Sequence, residues 1–470
     1  MNTRKAVVGL VMLLVVASLV LSACAPAPAA APATEAPQAA PTEAPKAAAP
    51  TEAPKAAAPT EAPAVAPTEA APVELVFWSM WSETEKQADV IKEAIAEFES
   101  KHPGTTVKVN WAGRDIRKLI APALDGGQSI DIFEADQNWL LSNLTKYLTP
   151  LDDYTSQPSY DTDGKSVLDT ILPATVTFSR DKDGKLTSLP FNPFAVMFFY
   201  NKDIFAQAGV DKTPVTWDEF VAAGEKVKAA GYDFLTADQD AYIDVWLGYY
   251  ANRVKSCEYL VETLKDKTGE MWKDPAWEQM AKDLGTLTDK GLWSKQAAAN
   301  ASPAGQVEVA TGTAAMYLNG TWFPSEVSKT TGPDFKWGQF VFPAVTADKN
   351  NYGDIEAGAN ALAINSNSKS KDLAFELLKT LVSAKYQSKM AEIAGVPGVN
   401  TASPWPANLS EGFEAMKSAT NAVPWACANW DAGDVVSKVT IPLFKELLFG
   451  TVKPADFITK MAAEQANYYK

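Results

Sequence analysis

The chain has 470 residues, 47% of them hydrophobic and 21% charged, with 42 basic against 57 acidic side chains and a net charge of −15. That is the profile of a folded chain of two or three domains, and its acidity argues against nucleic acid as a partner. A single histidine, His102, beside 14 tryptophans excludes His-rich zinc sites and H-E-x-x-H helices, so no metal and no other cofactor is expected.

The first residues read as an address. Arg4 and Lys5 precede an apolar run from Ala6 to Leu21, which ends in Leu21-Ser22-Ala23-Cys24. The run is shorter than the roughly 20 residues of a membrane span, and small residues before a cleavage point fit a signal peptide over 1–23. A Cys directly after Leu-Ser-Ala resembles a bacterial lipoprotein signal. That resemblance implies a lipidated Cys24 and an extracytoplasmic chain, at the cell surface or in the periplasm, tied to the membrane. Residues 24–73 form the lipidated Cys and a Pro/Ala-rich tether, in which Pro-Thr-Glu-Ala-Pro-Lys-Ala-Ala-Ala occurs at 41–49 and again at 50–58. With no apolar face to bury, such a segment is expected as an extended stalk with polyproline II stretches.

The body opens with a strand at Glu74–Phe77. Ser82-Glu-Thr-Glu85 reads as a capping box for a helix with Ile91, Ala94, Ile95 and Phe98 on one face. His102, before Pro103-Gly104, reads as a solvated loop residue. Thr106–Asn110 is strand-like, 114–123 helical, and 130–133 a strand, so the body begins β-α-β-α-β and predicts a parallel sheet with helical crossovers. A hairpin is expected around Asp183-Gly184, between 175–180 and 185–189. A buried strand follows at 195–200. Thr216-Trp-Asp-Glu219 is a second capping box, opening a helix to Lys228, and further helices are expected at 276–290, 371–393, 434–449 and 454–469. Cys257 and Cys427 are either a disulfide or two buried thiols, and their spacing leaves both open.

Catalytic motifs are missing. There is no G-x-S-x-G elbow and no G-x-G-x-x-G after a strand, and Ser159 stands where a P-loop ending at Ser166 needs its first glycine. A triad or a Cys-His pair would have to use His102. Paired carboxylates, as in a glycosidase, stay open. Ligands of open α/β sheets sit beyond the carboxyl ends of strands, which singles out Trp78-Ser79-Met80-Trp81 and Asp136-Gln137-Asn138-Trp139. Flat aromatic faces beside a few directed polar groups suit a sugar. Trp217, Trp272, Trp277 and Trp293 fall on or near predicted helices and read as packing.

Leu189-Pro-Phe-Asn-Pro-Phe-Ala-Val-Met-Phe-Phe-Tyr-Asn-Lys-Asp-Ile-Phe205, then Thr216-Trp-Asp-Glu-Phe220, and Gly312-Thr-Ala-Ala-Met-Tyr-Leu-Asn-Gly-Thr-Trp322 resemble the maltose-binding-like extracellular solute-binding proteins of ABC sugar importers. The likeness continues through Ala361-Leu-Ala-Ile364 and covers the body. It implies an α/β, two-lobed periplasmic-binding-protein-like fold, each lobe a mainly parallel sheet flanked by helices, joined by a hinge. Lobe 1 would be 74–192 plus 343–398 and lobe 2 would be 193–342 plus 399–470, with crossings near 191–196, 341–346 and 395–401. Carried over by position, Trp78, Ser79, Trp81, Asp136 and Gln137 line the first lobe. Asn192 sits at the first crossing, and Trp322, with Trp246 and Trp430, faces from the second. Gln137 stands where maltose-type members have Arg, which argues against maltodextrin. The resemblance implies a monomer that binds a sugar or polyol without enzyme activity and hands it to ABC permease transmembrane subunits. The alternatives are a receptor for a polyamine or other small cation, a surface glycosidase using paired carboxylates, and a stalk-borne adhesin.

Overall fold

A computed structural model describes residues 72–470. The expected signal peptide, Cys24 and the tether up to Ala71 lie outside the described residues. β1 (Val73–Ser79) pairs in parallel with β2 (Thr105–Trp111) along its whole length and with β3 (Ile132–Asp136) at its end. α1 (Lys86–Lys101) makes the crossover and buries Ile91, Ala94, Ile95 and Phe98, the i, i+3, i+4 stripe read from the sequence, with Val90 beside them. α2 (Ile116–Asp125) and α3 (Gln137–Leu144) flank the same sheet.

The second half is built on a 13-residue strand, β4 (Leu189–Asn201). It is followed by α4 (Trp217–Ala229), β5 (Asp233–Leu235), α5 (Ile243–Val254), α6 (Cys257–Lys265), α7 (Pro275–Asp289), β6 (Ala314–Gly320) and β7 (Trp337–Phe340). β8 (Ile355–Ile364), α8 (Lys371–Leu381), β9 (Ala422–Val423), α9 (Ile441–Leu448) and α10 (Pro454–Tyr468) complete the chain. The strands run in the order β2-β1-β3-β8-β4-β6-β5, with β7 against β4 and β9 against β8. Pairing is parallel at β2-β1-β3, β5-β6 and β8-β9, and antiparallel at β3-β8, β8-β4, β4-β6 and β4-β7.

β4 and β8 run side by side through both halves of this two-lobed body. One core holds Phe77, Phe98, Phe133, Ile364 and Phe375. The other holds Phe198, Phe220, Trp246, Trp277 and Phe444. Apart from Leu172, which reaches the second core from within a first-core stretch, the chain changes core between Phe191 and Ala195, between Ala357 and Ala361, and between Val399 and Trp405. The middle passage therefore lies at 358–360, not at 341–346 as read from the sequence. The cause is Arg253, fully buried in α5, which donates to the carbonyls of Phe342, Asn351 and Asp354 at 3.2, 2.7 and 2.9 Å and fastens that stretch to the second core.

Local signals fared unevenly. Thr216 and Glu219 form the full capping box. The Ser82–Glu85 box does not cap α1: the helix starts at Lys86, and the Glu85 carboxylate receives the Ser82 amide at 2.6 Å and Arg114 at 2.9 Å instead. The expected hairpin reduces to a tight turn with one bridge, Arg180 to Leu186, because residues 173–179 coil into short helical turns that lead into the interlobe strand. The helix expected over 371–393 breaks at Ser383, whose hydroxyl bonds back to the Thr380 carbonyl at 2.7 Å. His102 is not a free loop residue. It closes α1, its Nδ1 2.9 Å from the Phe98 carbonyl and its ring against Phe98. Cys257 and Cys427 are joined as a disulfide across 170 residues. Among the described residues no helix is long and apolar enough to cross a membrane, and no group of three or more His, Cys, Asp or Glu is placed to hold a metal ion.

Candidate ligand-binding site

A cavity of about 380 Å³ opens where the two lobes face each other. Its first-lobe wall begins at the carboxyl end of β1. There Ser79 and Trp81 both turn toward Glu134, which the β1–β3 pairing brings alongside. The Ser79 hydroxyl donates to Oε2 at 2.9 Å and the Trp81 indole N–H to Oε1 at 2.8 Å. Glu134 is fully buried, and desolvation pushes its carboxyl up to about 7, against the pull of these two donors and of Arg114. The Arg114 guanidinium lies over the Trp81 ring at 4.5 Å and donates to the Met80 carbonyl at 2.6 Å as well as to Glu85. Trp81 is thus gripped at its edge by a carboxyl group and covered on one face by a cation. Glu85, Gln87 and Arg114 join it in the cavity wall.

The floor is made by the passage strands. Asn192 of β4 lies opposite Asn360 of β8, next to a register irregularity between Pro190 and Asn192. Asn192 is only 6% exposed, yet neither its amide oxygen nor its nitrogen has a hydrogen-bond partner among the described residues. A buried amide left unpaired costs about 1–3 kcal/mol, so the arrangement favours an incoming polar group.

The second-lobe wall is aromatic. Trp322 lies two residues past the end of β6 and packs against Phe194 at 5.7 Å between ring centroids and, nearly parallel, against Trp425 at 6.3 Å. Its indole N–H donates to the Tyr242 hydroxyl at 2.9 Å. Tyr242 takes a left-handed φ of 61° at the start of α5, an uncommon conformation for a bulky residue. Trp425 is presented by a second unusual element, in which Ala426, Cys427 and Ala428 have φ of 48°, 55° and 53°. That left-handed turn can press against α5 because Gly248 lies beneath it: a Cβ there would come within 2.5 Å of the Ala426 carbonyl carbon. The disulfide holds the same turn to α6. Asp244, in the first turn of α5, accepts the indole N–H of Trp425 at 3.0 Å and of Trp430 at 2.9 Å. Glu356 of β8 is buried with no full hydrogen bond to either carboxyl oxygen. Burial raises its pKa well above the usual carboxylate range, the nearby Asp244 charge adds to this, and the Ala426 amide opposes it.

Of the residues singled out in the sequence, Trp81, Asn192 and Trp322 line this cavity. The others do not. Trp78 lies within β1 and packs into the first core. The Ser79 hydroxyl is spent on Glu134. Asp136 caps α3 through the Trp139 amide at 3.0 Å, and burial raises its carboxyl. Gln137 is fully committed, donating to the Thr175 carbonyl and Ser179 hydroxyl and accepting the Ala359 amide at 2.7 Å. Trp246 sits in the second core between Phe198 and Trp293. Trp430 is 48% exposed and tied to Asp244. Sequence reading missed Arg114, Phe194, Asn360 and Glu326 in the lining, and Trp425 and Tyr242 behind it. Only Glu326, four residues after Trp322, carried a local signal.

The family model described as bacterial extracellular solute-binding protein matches residues 81–388. A binding protein of Brucella abortus (strain 2308) is 26% identical over 321 residues, which is 67% of this chain and 74% of that one. Among solved structures, a chitin oligosaccharide binding protein aligns with a TM-score of 0.58 and 23% identity, covering 85% of this chain and 99% of that one. The bacterial solute receptor AcbH, described with an exclusive preference for β-D-galactopyranose, aligns with a TM-score of 0.68 and 17% identity over 85% of this chain and 100% of that one. At these identities the structural likenesses carry the fold.

Proposed function

Because the chain belongs to the bacterial extracellular solute-binding protein family, we propose that it is the lipid-anchored receptor of an ABC importer, capturing a saccharide or polyol between its lobes. It acts outside the cytoplasm as a monomer held by Cys24 and passes the closed, loaded form to the permease transmembrane subunits. The observation that carries the ligand class is the meeting, in one cavity, of Trp81 from the first lobe, Trp322 from the second and the unpartnered amide of Asn192 at the passage between them. Two aromatic faces accept the C–H faces of a sugar ring, and the amide offers one donor side and one acceptor side to its hydroxyls. Binding by both lobes selects the closed state, and no bond is broken. A linear polyamine would satisfy the aromatic faces but could not use the Asn192 donor.

Isothermal titration calorimetry against a panel of mono- and oligosaccharides tests this, with chromatography of the mixture afterwards. Saturable heat with the sugar recovered intact is expected. Cleaved sugar would favour a glycosidase, and heat with spermidine but with no sugar would favour a receptor for cations.

A further inference from the structure

The two walls of the cavity differ in charge. On the first lobe Arg114 is the one cation in the lining, and it is already engaged by Glu85 and the Met80 carbonyl. Among the described residues, the second-lobe wall has a carboxylate and no counter-ion. Trp322 and Glu326 are four residues apart across one helical turn, closed by the Glu326 amide bonding the Trp322 carbonyl at 3.1 Å, so both side chains reach the cavity together. One Glu326 oxygen accepts from Gln306 at 2.9 Å, and the other has no partner among the described residues. Behind this wall Tyr242 lies within the field of three carboxylates, Glu326, Asp238 and Asp244.

A second, independent observation points to a ligand here: Asn192, more than nine-tenths buried, lines the same cavity with both amide atoms unpaired. Glu326 is exposed and lines the cavity, so a ligand held between the lobes would take it out of water. A neutral sugar could give it a hydroxyl hydrogen bond but would leave its charge uncompensated, whereas a protonated amine supplies both the donor and the opposite charge.

We propose that the ligand is a saccharide carrying a protonated amino group, its ring on Trp322, its ammonium on Glu326 and a neighbouring hydroxyl on Asn192. This rests on the saccharide reading above and narrows it. The test is calorimetry of the full chain at about pH 6 with three β-1,4-linked disaccharides that differ at C2: the fully deacetylated disaccharide of chitosan, N,N′-diacetylchitobiose and cellobiose. The cationic disaccharide is expected to bind at least about tenfold more tightly than the other two, and Glu326→Gln to remove most of that preference. Equal or tighter binding of N,N′-diacetylchitobiose or cellobiose overturns the amine while leaving the saccharide reading in place. A preference that survives in Glu326→Gln overturns the assigned contact. Failure of all three, together with the wider sugar panel, removes both readings. The wild-type ratio stands by itself should the variant fold poorly.

Discussion

The Trp81 indole donates its N–H to Glu134, and the 2.8 Å bond ties the orientation of a cavity-lining ring to the protonation of a buried carboxyl group. Burial raises this carboxyl from 4.5 to about 7. The folded state therefore holds a proton that the unfolded state has released between those values. The sign follows from linkage: this contribution to stability is fully present below about 4.5 and is lost as pH rises through about 7. Its size is on the order of 3 kcal/mol. Urea titrations at steps across this range should show falling stability in the wild type and a flatter profile in Glu134→Gln, whose amide can still accept from Trp81. Parallel slopes in the two proteins would exclude Glu134 as the source.

Trp322 and Trp246 carry opposite expectations. Trp322→Ala removes a half-buried ring from the cavity and should weaken ligand binding by at least about 1 kcal/mol, with a smaller effect on melting. Trp246→Ala empties a fully buried position and should destabilise by about 3–5 kcal/mol. Calorimetric titration and thermal melts of both variants separate the roles, and unchanged affinity in Trp322→Ala would take that ring out of the site.

The Cys257–Cys427 bridge closes a 170-residue separation and anchors the turn that presents Trp425. Cys257→Ala/Cys427→Ala should lose about 2–5 kcal/mol of stability. It should also bind ligand more weakly, because Trp425 backs Trp322. Intact mass before and after reduction checks the bond itself, and melting unaffected by reduction would argue against a structural role.

Gly248→Ala places a methyl group 2.5 Å from the Ala426 carbonyl carbon, an atom of backbone that cannot rotate aside. A loss of about 1–3 kcal/mol is expected, with reduced affinity as the Trp425 turn is displaced. Wild-type melting and binding in this variant would mean that α5 and the turn can separate freely.

Much of this architecture was legible in the sequence. The α1 stripe, the Thr216–Glu219 box and the β4 run are local patterns whose periodicity survives folding. Trp81 was found because it lies just past a strand end, and Trp322 through the family resemblance of the 312–322 segment. What escaped depended on contacts distant in the chain. Ser79 and Gln137 have the right chemistry at the right place, but β3 and β8 bring partners that consume their hydrogen bonds. Arg114 has no local signature, since Trp81 and Glu85, which it joins, precede it by a whole helix and strand. Trp425 is set by a left-handed turn that no propensity favours, enforced by Gly248 and a disulfide. The boundary at 341–346 was misplaced because one buried arginine holds the loop to the second lobe.

β8 lies between β3 and β4, so the first-lobe sheet stays open on the ribosome until that late strand has been made. The Asn365 side chain reaches back across 235 residues to the Ile130 carbonyl, and the Ser366 hydroxyl across 220 to that of Lys146. Pairings this remote form slowly and only once nearly the whole body exists. A chain so ordered completes its first-lobe sheet late, after the central strands of the second core have already been made.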